Sequence, residues 1–539
     1  MATMQPTIQL TAPEEALFSV LVAAGEAGGT TVRVAGGWVR DKALGRQTFD
    51  VDVALDNCSG VAFAKHITKM LRERGIEHSA TGVVAANPEQ SKHLETATMR
   101  ICGLEVDIVN LRCETYADES RIPTMEFGTP EQDALRRDFT INALFYNLHT
   151  KAIEDLTKHG LTDLAAGLLR TPLEPRVTLL DDPLRALRGV RFHARYGFAF
   201  DEALRAAASS KEVRAALLAK VSRERVGKEI RGALKSKDAS AQTRTLDELT
   251  KLGLASATFR PVNAKATLKG AAAGAGGAAI AVEDVFSDDA DDAASPVWLL
   301  ATRRVAALAR RLADAKVDLA DAERTPTALA CAFSPFTACE SLEKKKKTPL
   351  PVAMCRDALK LATREGETTM QLVVASQSFA ALSRRLEATP ADDAGAMSVL
   401  RRDVGNVLFN ICDKWRLAVH VACACELSDD AALWNGATEI VGDAAIAAVE
   451  ARYDALVAAV EGPVLALNDV WATLKPVFDG RALMNDLKVP KGPNLGLVLE
   501  EQRDWQLGHP GGTADELRAH LVAHMEQLRA EPQRKKARR

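Results

Sequence analysis

Residues 49–55, FDVDVAL, restrict the fold more than any other stretch of this chain. In an extended backbone Val51 and Val53 turn to one face while Asp50 and Asp52 turn together to the other. A sheet that buries the valines must leave the carboxylates facing solvent or a cleft, because unpaired charges are not buried. Two readings are open: an edge with solvated aspartates, or a pair of carboxylates that shares a cation. Magnesium (Mg2+) suits the second, since it takes hard oxygen ligands and commonly sits between a few carboxylates and substrate phosphates. The residues upstream favour it. Gly36 and Gly37 let backbone approach a ligand closely, and the helix that follows offers free N–H groups to a triphosphate. Arg40 adds a bidentate phosphate donor, with Asp41 placed to orient it. Asp107, in LEVDIVNL at 104–111, falls out of phase with its apolar neighbours and supplies a third carboxylate from an adjacent strand.

Strand patterns at 31–35 (TVRVA), 49–55 and 104–111, with a helix after Gly36-Gly37, make the first 150 residues or so a small α/β unit. From Pro183 onward the hydrophobic period changes to about 3.6, so the rest of the chain is expected to be mostly helical. A scarcity of aromatics, 5%, and an abundance of Ala, Leu and Val agree with that. Residues 263–295 combine an Ala/Gly run with an acidic run and are expected to form a flexible surface insertion. Lys344 to Lys347 mark a second loop-like break.

A net charge of -3 argues against general coating of nucleic acid and requires any polyanion site to be concentrated. The nine cysteines lack metal-site spacing and read as reduced thiols in an intracellular compartment. No membrane span or secretory signal is expected. The basic run RKKARR at 534–539 reads as a nuclear import signal, an RNA-touching tail or a plain solvated end.

Two further segments are dense in charge. In RRDFTINAL, 136–144, helical spacing would bring Asp138 and Asn142 to one face. In DDPLRALRGVRFHAR, 181–195, Asp182 is a helix N-cap with Pro183 at the first position. Arg185, Arg188, Arg191 and Arg195 then share one face, and Leu184, Leu187 and Val190 another.

At this point the chain resembles the nucleotidyltransferases related to DNA polymerase beta, and within them the class II tRNA nucleotidyltransferases (CCA-adding enzymes) and bacterial poly(A) polymerases. VDIVNLRCETY (106–116), GTPEQDALRRDFTINALFYNL (128–148), DLTKHGLTDLAAGLLRTP (155–172), DDPLRALRGVRFHARYGF (181–198) and SRERVGKEI (222–230) follow in the family's order. The tail segments KPVFDGRALMNDLKVPKGPNLG (475–496) and WQLGHPGGT (505–513) look like those of eukaryotic members.

The resemblance implies an α+β fold: a small N-terminal mixed-sheet nucleotidyltransferase head at 1–150, then an elongated, mainly helical neck at 151–240, body at 241–470 and tRNA-binding tail at 471–539. It implies metal and catalytic roles for Asp50 and Asp52, with Asp107 beside them. Asp138 then meets the sugar hydroxyl, Arg137 the sugar or phosphate, and Asn142 belongs to the same motif. Asp182 and Arg185 read the Watson–Crick edge of the incoming base, and Arg188 supports the phosphates or the fold. Gly160, Asp163 and Leu164 match a hinge element, and SRERVGKEI forms internal salt bridges in the neck or touches RNA. The implied reaction is template-independent CCA addition to tRNA from CTP and ATP with magnesium, in the cytoplasm and nucleus and also in mitochondria, with no membrane partner. Poly(A) synthesis, partial CC- or A-addition, an inert tRNA-binding protein and a small-molecule nucleotidyltransferase are the alternatives; monomer and dimer stay open.

Overall fold

A computed structural model describes residues 6–84, 96–115, 124–262, 266–343 and 346–537. The chain divides into two compact units, Met1–Ala233 with Glu248–Arg260, and Leu234–Asp247 with Pro261–Arg539.

The first unit is built on a mixed sheet. Helix α1 (Ala12–Gly28) precedes β1 (Val32–Ala35), α2 (Gly37–Ala43), β2 (Asp50–Leu55), α3 (Gly60–Glu73), β3 (Gly82–Val84), β4 (Thr96–Ile101) and β5 (Leu104–Asn110). A two-stranded ribbon, β6 (Arg112–Thr115) and β7 (Thr124–Phe127), leads to α4 (Pro130–Leu135), β8 (Phe145–Asn147) and β9 (Ala152–Glu154). The sheet order is β3-β4-β5-β2-β1-β8-β9. The β2–β5 pair is parallel and the others antiparallel. The parallel pair needs a crossover, and α3 provides it, capped by Ser59 whose side chain accepts from the Ala62 N–H. Where α3 crosses β5, a Cβ on Gly60 would stand 2.0 Å from the Ile108 carbonyl oxygen, so only glycine fits. Val32, Val34, Val51, Val53 and Ile108 are fully buried beneath Leu17 and Leu21 of α1 and Phe63 and Ile67 of α3.

The sheet ends at Glu154, a little beyond the expected boundary at 150. Helices α5 (Gly160–Ala166), α6 (Pro175–Asp181), α7 (Leu184–Tyr196), α8 (Glu202–Ala208), α9 (Lys211–Lys220) and α10 (Arg223–Leu234) follow, and a short helix at Ala255–Phe259 also belongs to the unit. Of the expected head and neck, residues up to 233 fall in this unit and 234–240 in the second.

The second unit is mainly helical. Its core helices are Pro296–Asp314, Asp321–Phe333, Thr363–Ala388, Ala394–Ile411, Trp415–Asp429 and Asp443–Glu461. Toward the C-terminus Phe478, Leu483, Val498, Leu517 and Leu521 form a smaller core of their own. Among the described residues no helix is long and apolar enough to cross a membrane.

One expectation is corrected here. Residues 266–295 do not form a flexible insertion: Ala266–Lys269 pairs with Glu340–Glu343, and Ala271–Ala273 forms a hairpin with Ala279–Ala281. Val282, Val285 and Phe286 are buried, and the Phe286 ring lies 6.0 Å from Trp298 and 5.6 Å from Phe336. Small side chains lower the apolar content of the segment, yet backbone pairing and one large ring fix it. Residues 263–265 lie outside the described residues. The lysine run is also strand in part: Lys346–Pro349 pairs with Glu340–Glu343, and Lys347 meets Glu340 at 2.9 Å. Lys344 and Lys345 lie outside the described residues, as do Arg538 and Arg539. Replacing Phe286 with Ala should destabilise the protein by about 3–5 kcal/mol in urea unfolding. A cost near zero would return the segment to the status of filler.

Candidate active site

The parallel register sets Asp52 directly beside Asp107, with Asp50 two residues along the same face. The three carboxylates line one wall of a cleft of about 720 Å³. Asp52 opens to this cleft, but the protein packed around it, then Asp50 and Asp107, push its carboxyl up to about 6 against the pull of Arg137. Burial, then Asp107 and Glu105, raise Asp50 as well. Two hard oxygen donors whose repulsion a cation would relieve fit a divalent ion that takes its other ligands from phosphates and water. Asp107 is less available, because it accepts a 2.6 Å hydrogen bond from the Thr98 hydroxyl. Among the described residues no three acidic, His or Cys side chains converge as a ready-made cage.

The β1–α2 turn forms the floor. Gly36 has φ +64, and a Cβ there would meet Arg137 Nη1 at 2.8 Å. Arg40 gives Nε to Asp41 at 2.9 Å and Nη1 to Asn142 Oδ1 at 2.5 Å. Its guanidinium lies over Phe192 and Tyr196, 5.1 and 4.9 Å from the ring centres. Nη2 sits beside Gly37, at the cleft. Asp41 orients Arg40 and accepts from the Tyr196 hydroxyl at 2.8 Å, but it does not line the cleft.

Asp138 and Asn142 do meet, though not on an α-helix. Helix α4 stops at Leu135, and Thr140–Asn142 is a single 3-10 turn. Asp138 Oδ1 accepts from its neighbour's N–H at 2.8 Å and from Asn142 Nδ2 at 3.0 Å. Oδ2 accepts from Arg188 Nε at 2.6 Å. Burial alone would raise this carboxyl, but Arg188, Asn142 and Arg185 hold it down at about 2. Behind the turn, Thr140 donates to Asp163 at 2.7 Å, and Asp155 accepts the first N–H groups of α5. Gly160 is wedged there against Leu144 and the Thr140 carbonyl. The expected hinge element therefore buttresses the turn.

The base-reading candidates enter from the start of α7. Asp182 has a non-helical backbone and accepts from the Leu184 N–H at 3.3 Å, as a cap should. Arg185 donates to the Arg136 carbonyl at 2.7 Å and to the Thr178 carbonyl at 3.4 Å. Both line the cleft. The basic face of α7 is held by carboxylates: Arg188 by Asp138 and Arg191 by Glu229 at 2.6 Å. Leu184, Leu187 and Val190 are buried on the other face.

Asp133 escaped the sequence reading, and Arg225 was read there only for salt bridges within the neck or RNA contact. Arg225 of α10 grips Asp182 at 2.7 and 3.3 Å, so the salt bridges of SRERVGKEI run to α7 and its cap. Asp133, buried in α4, holds both Arg136 at 2.5 Å and Arg137 at 2.9 Å. Its three- and four-residue spacing to those arginines was the available signal. Arg225 had none. The assembled cleft sets acidic side chains on one strand face against arginines fixed by buried partners, a layout suited to a metal–triphosphate.

Residues 32–170 match the family profile described as the poly A polymerase head domain. Over 497 residues the chain is 31% identical to tRNA nucleotidyltransferase cca2 of Schizosaccharomyces pombe, covering 91% of this chain and 92% of that one. It is 50% identical over 204 residues to the mitochondrial CCA tRNA nucleotidyltransferase of Saccharomyces cerevisiae, 37% of each chain. In fold it is similar to the Thermotoga maritima CCA-adding enzyme complexed with tRNA, with a TM-score of 0.55, 16% identity and 96% of both chains covered. A likeness that runs almost end to end at that first level of identity establishes descent: this chain belongs to the tRNA nucleotidyltransferase family.

Proposed function

We infer that the protein adds CCA to the 3′ end of tRNA from CTP and ATP, without a nucleic-acid template. The observation that carries this reading is one cleft that combines the Asp50/Asp52 face with a buried-anchored Asp182 and Arg185. The relatives' names support it. In each addition the 3′ hydroxyl of the tRNA attacks the α-phosphorus and the bond to pyrophosphate breaks. Nucleotidyltransferases of this family use divalent metal ions. Magnesium held by Asp50 and Asp52 would acidify the attacking hydroxyl and offset charge on the phosphates.

The chain's own residues supply position and selectivity. Arg40 and Arg137 hold the phosphates, while Asp138 and Asn142 meet the ribose. The Asp182 carboxylate accepts from the exocyclic amine shared by cytosine and adenine, and Arg185 donates to ring acceptors. G and U would leave these groups unpaired. Arg225 keeps Asp182 in place. The helical second unit recognises tRNA by shape and phosphate contacts, as an enzyme serving many tRNAs requires. We assign the enzyme to cytosol and nucleus, with mitochondria as a further destination; the basic run at 534–539 and the mitochondrial relative support this.

Three outcomes test the reading. With magnesium and a tRNA transcript ending at the discriminator base, CTP alone should give two additions and ATP the third on a sequencing gel. Addition of A only, and only to tRNA ending in CC, would indicate a partial enzyme, and long A tails a poly(A) polymerase. Paired Asp50→Ala and Asp52→Ala changes should cut extension by roughly a thousandfold or more while tRNA binding persists.

Arg225→Gln should raise the KM for CTP and narrow discrimination against UTP by about tenfold, through a loosened Asp182. Unchanged selectivity would remove Asp182 from base reading.

Asp138 is held at about 2, below its unfolded value, so its stabilisation is complete above about pH 4 and lost as pH falls toward 2. Arg188→Gln should cost about 3–5 kcal/mol and move acid unfolding, followed by circular dichroism, to higher pH. No movement would show the pair to be incidental.

A further inference from the structure

The arginines of α7 are not equally engaged. Arg188 meets Asp138 at 2.6 Å and Arg191 meets Glu229 at 2.6 Å. Arg185 donates to two backbone carbonyls. Arg195 also lines the cleft, but its side chain is 51% exposed, and its contact with Asp41 Oδ2 is 3.9 Å, beyond hydrogen-bond reach. Asp41 is already committed, because its other oxygen accepts from Arg40 Nε at 2.9 Å and from the Tyr196 hydroxyl at 2.8 Å. Arg195 therefore keeps donors for a ligand.

Tyr196 gathers a second exposed arginine. Arg46 follows Gly45 in the loop between α2 and β2, where its backbone N–H donates to the Asp41 carbonyl at 2.8 Å. Its guanidinium lies 4.7 Å from the Tyr196 ring centre, with Arg40 at 4.9 Å and Arg195 at 5.1 Å from the same centre. One ring thus collects three guanidiniums and, through its hydroxyl, one carboxylate. Cation–π attraction holds the guanidiniums there without cancelling their charge, so an anion is the ligand that suits this corner. Position along α7 selects which anion. The cap residue Asp182 and Arg185 stand at its start, Arg188 comes next and holds Asp138, Phe192 carries Arg40, and Arg195 and Tyr196 close the helix. From Arg185 to Arg195 the axis rises about 15 Å. If base, ribose and phosphates follow that order, the last position falls at the terminal phosphates.

We propose that Arg195 and Arg46, gathered on Tyr196, form the seat of the β- and γ-phosphates of the incoming nucleotide and of the pyrophosphate they become. The assignment rests on the nucleotidyl-transfer reading of the cleft. The tRNA 3′ hydroxyl gives its proton to solvent and its oxygen bonds to the α-phosphorus. The bond from that phosphorus to the bridging oxygen breaks, and its electron pair stays with the pyrophosphate. Charge therefore grows on the departing group, at the end of α7 where the two guanidiniums stand. Arg40, fixed by Asp41 and Asn142, holds the phosphates from the floor. Arg195 and Arg46 are exposed, so the product they steady can leave directly to solvent.

The test compares the full-length protein with its Arg195→Gln and Arg46→Gln variants, using magnesium, CTP and a tRNA transcript ending at the discriminator base. Inhibition by added pyrophosphate and pyrophosphorolysis of the extended tRNA are measured beside the KM values for CTP and tRNA. In each variant the inhibition constant for pyrophosphate should rise roughly tenfold, with a higher KM for CTP and slower pyrophosphorolysis. The KM for tRNA and the binding of CMP, which lacks the two outer phosphates, should hold within about twofold and show that the variants are folded. Arg195→Lys should recover part of the pyrophosphate affinity, since it keeps the charge and loses the planar fork. Variants that extend tRNA with unchanged pyrophosphate inhibition would overturn the proposal and leave the nucleotidyl-transfer reading standing. A rise confined to the KM for tRNA would also overturn it, by giving the corner to a tRNA phosphate. Unaltered protein that extends no tRNA would overturn the underlying reading and this seat with it.

Discussion

A buried ion pair organises the catalytic unit. Asp138 comes from the turn after α4 and Arg188 from the second turn of α7, and their 2.6 Å contact ties that turn to the helix that carries Arg185 and follows Asp182. Neither group tolerates burial alone. Their requirement for each other fixes the α7 face, and with it Arg191, Glu229 and the α10 contacts that steady Asp182. Arg40 adds a second tie, from the floor to α7, by lying on Phe192 and Tyr196 while Asp41 takes the Tyr196 hydroxyl. Arg188 and Arg191 of α7 are thereby committed to carboxylate partners, and a protein of net charge -3 concentrates positive charge at one place.

Much of this was legible in the sequence because strand geometry has so short a period. Once residues 49–55 are a strand with buried valines, the aspartates have no choice of face, and Asp107 follows by the same parity. The glycine turn and the cap at Asp182 were legible for similar local reasons. The encounter of Asp138 with Asn142 was legible as spacing, but its route was not. Asp138 spends an oxygen on the next backbone N–H, which competes with helix formation, and the chain takes one tight turn instead.

What could not be read depended on partners distant in sequence. Nothing local to Arg225 points to Asp182, 43 positions earlier. The order within residues 266–295 was hidden because average composition conceals an anchor: alanine strands pair through their backbones, and Phe286 reaches the aromatic cluster. Asp133 was readable in hindsight from its spacing, yet its significance lies in holding two guanidiniums with one carboxylate.

The close passage of α3 over β5 has a consequence at the carboxylates. With a Cβ at residue 60 excluded by the Ile108 carbonyl, the helix start and that strand are locked as surfaces in contact. A slip of β5 by one residue would turn Asp107 into the core and Val106 into the cleft. Gly60 therefore acts as a pawl on the strand ladder, and the alignment of the acidic wall depends on a residue that never faces a nucleotide.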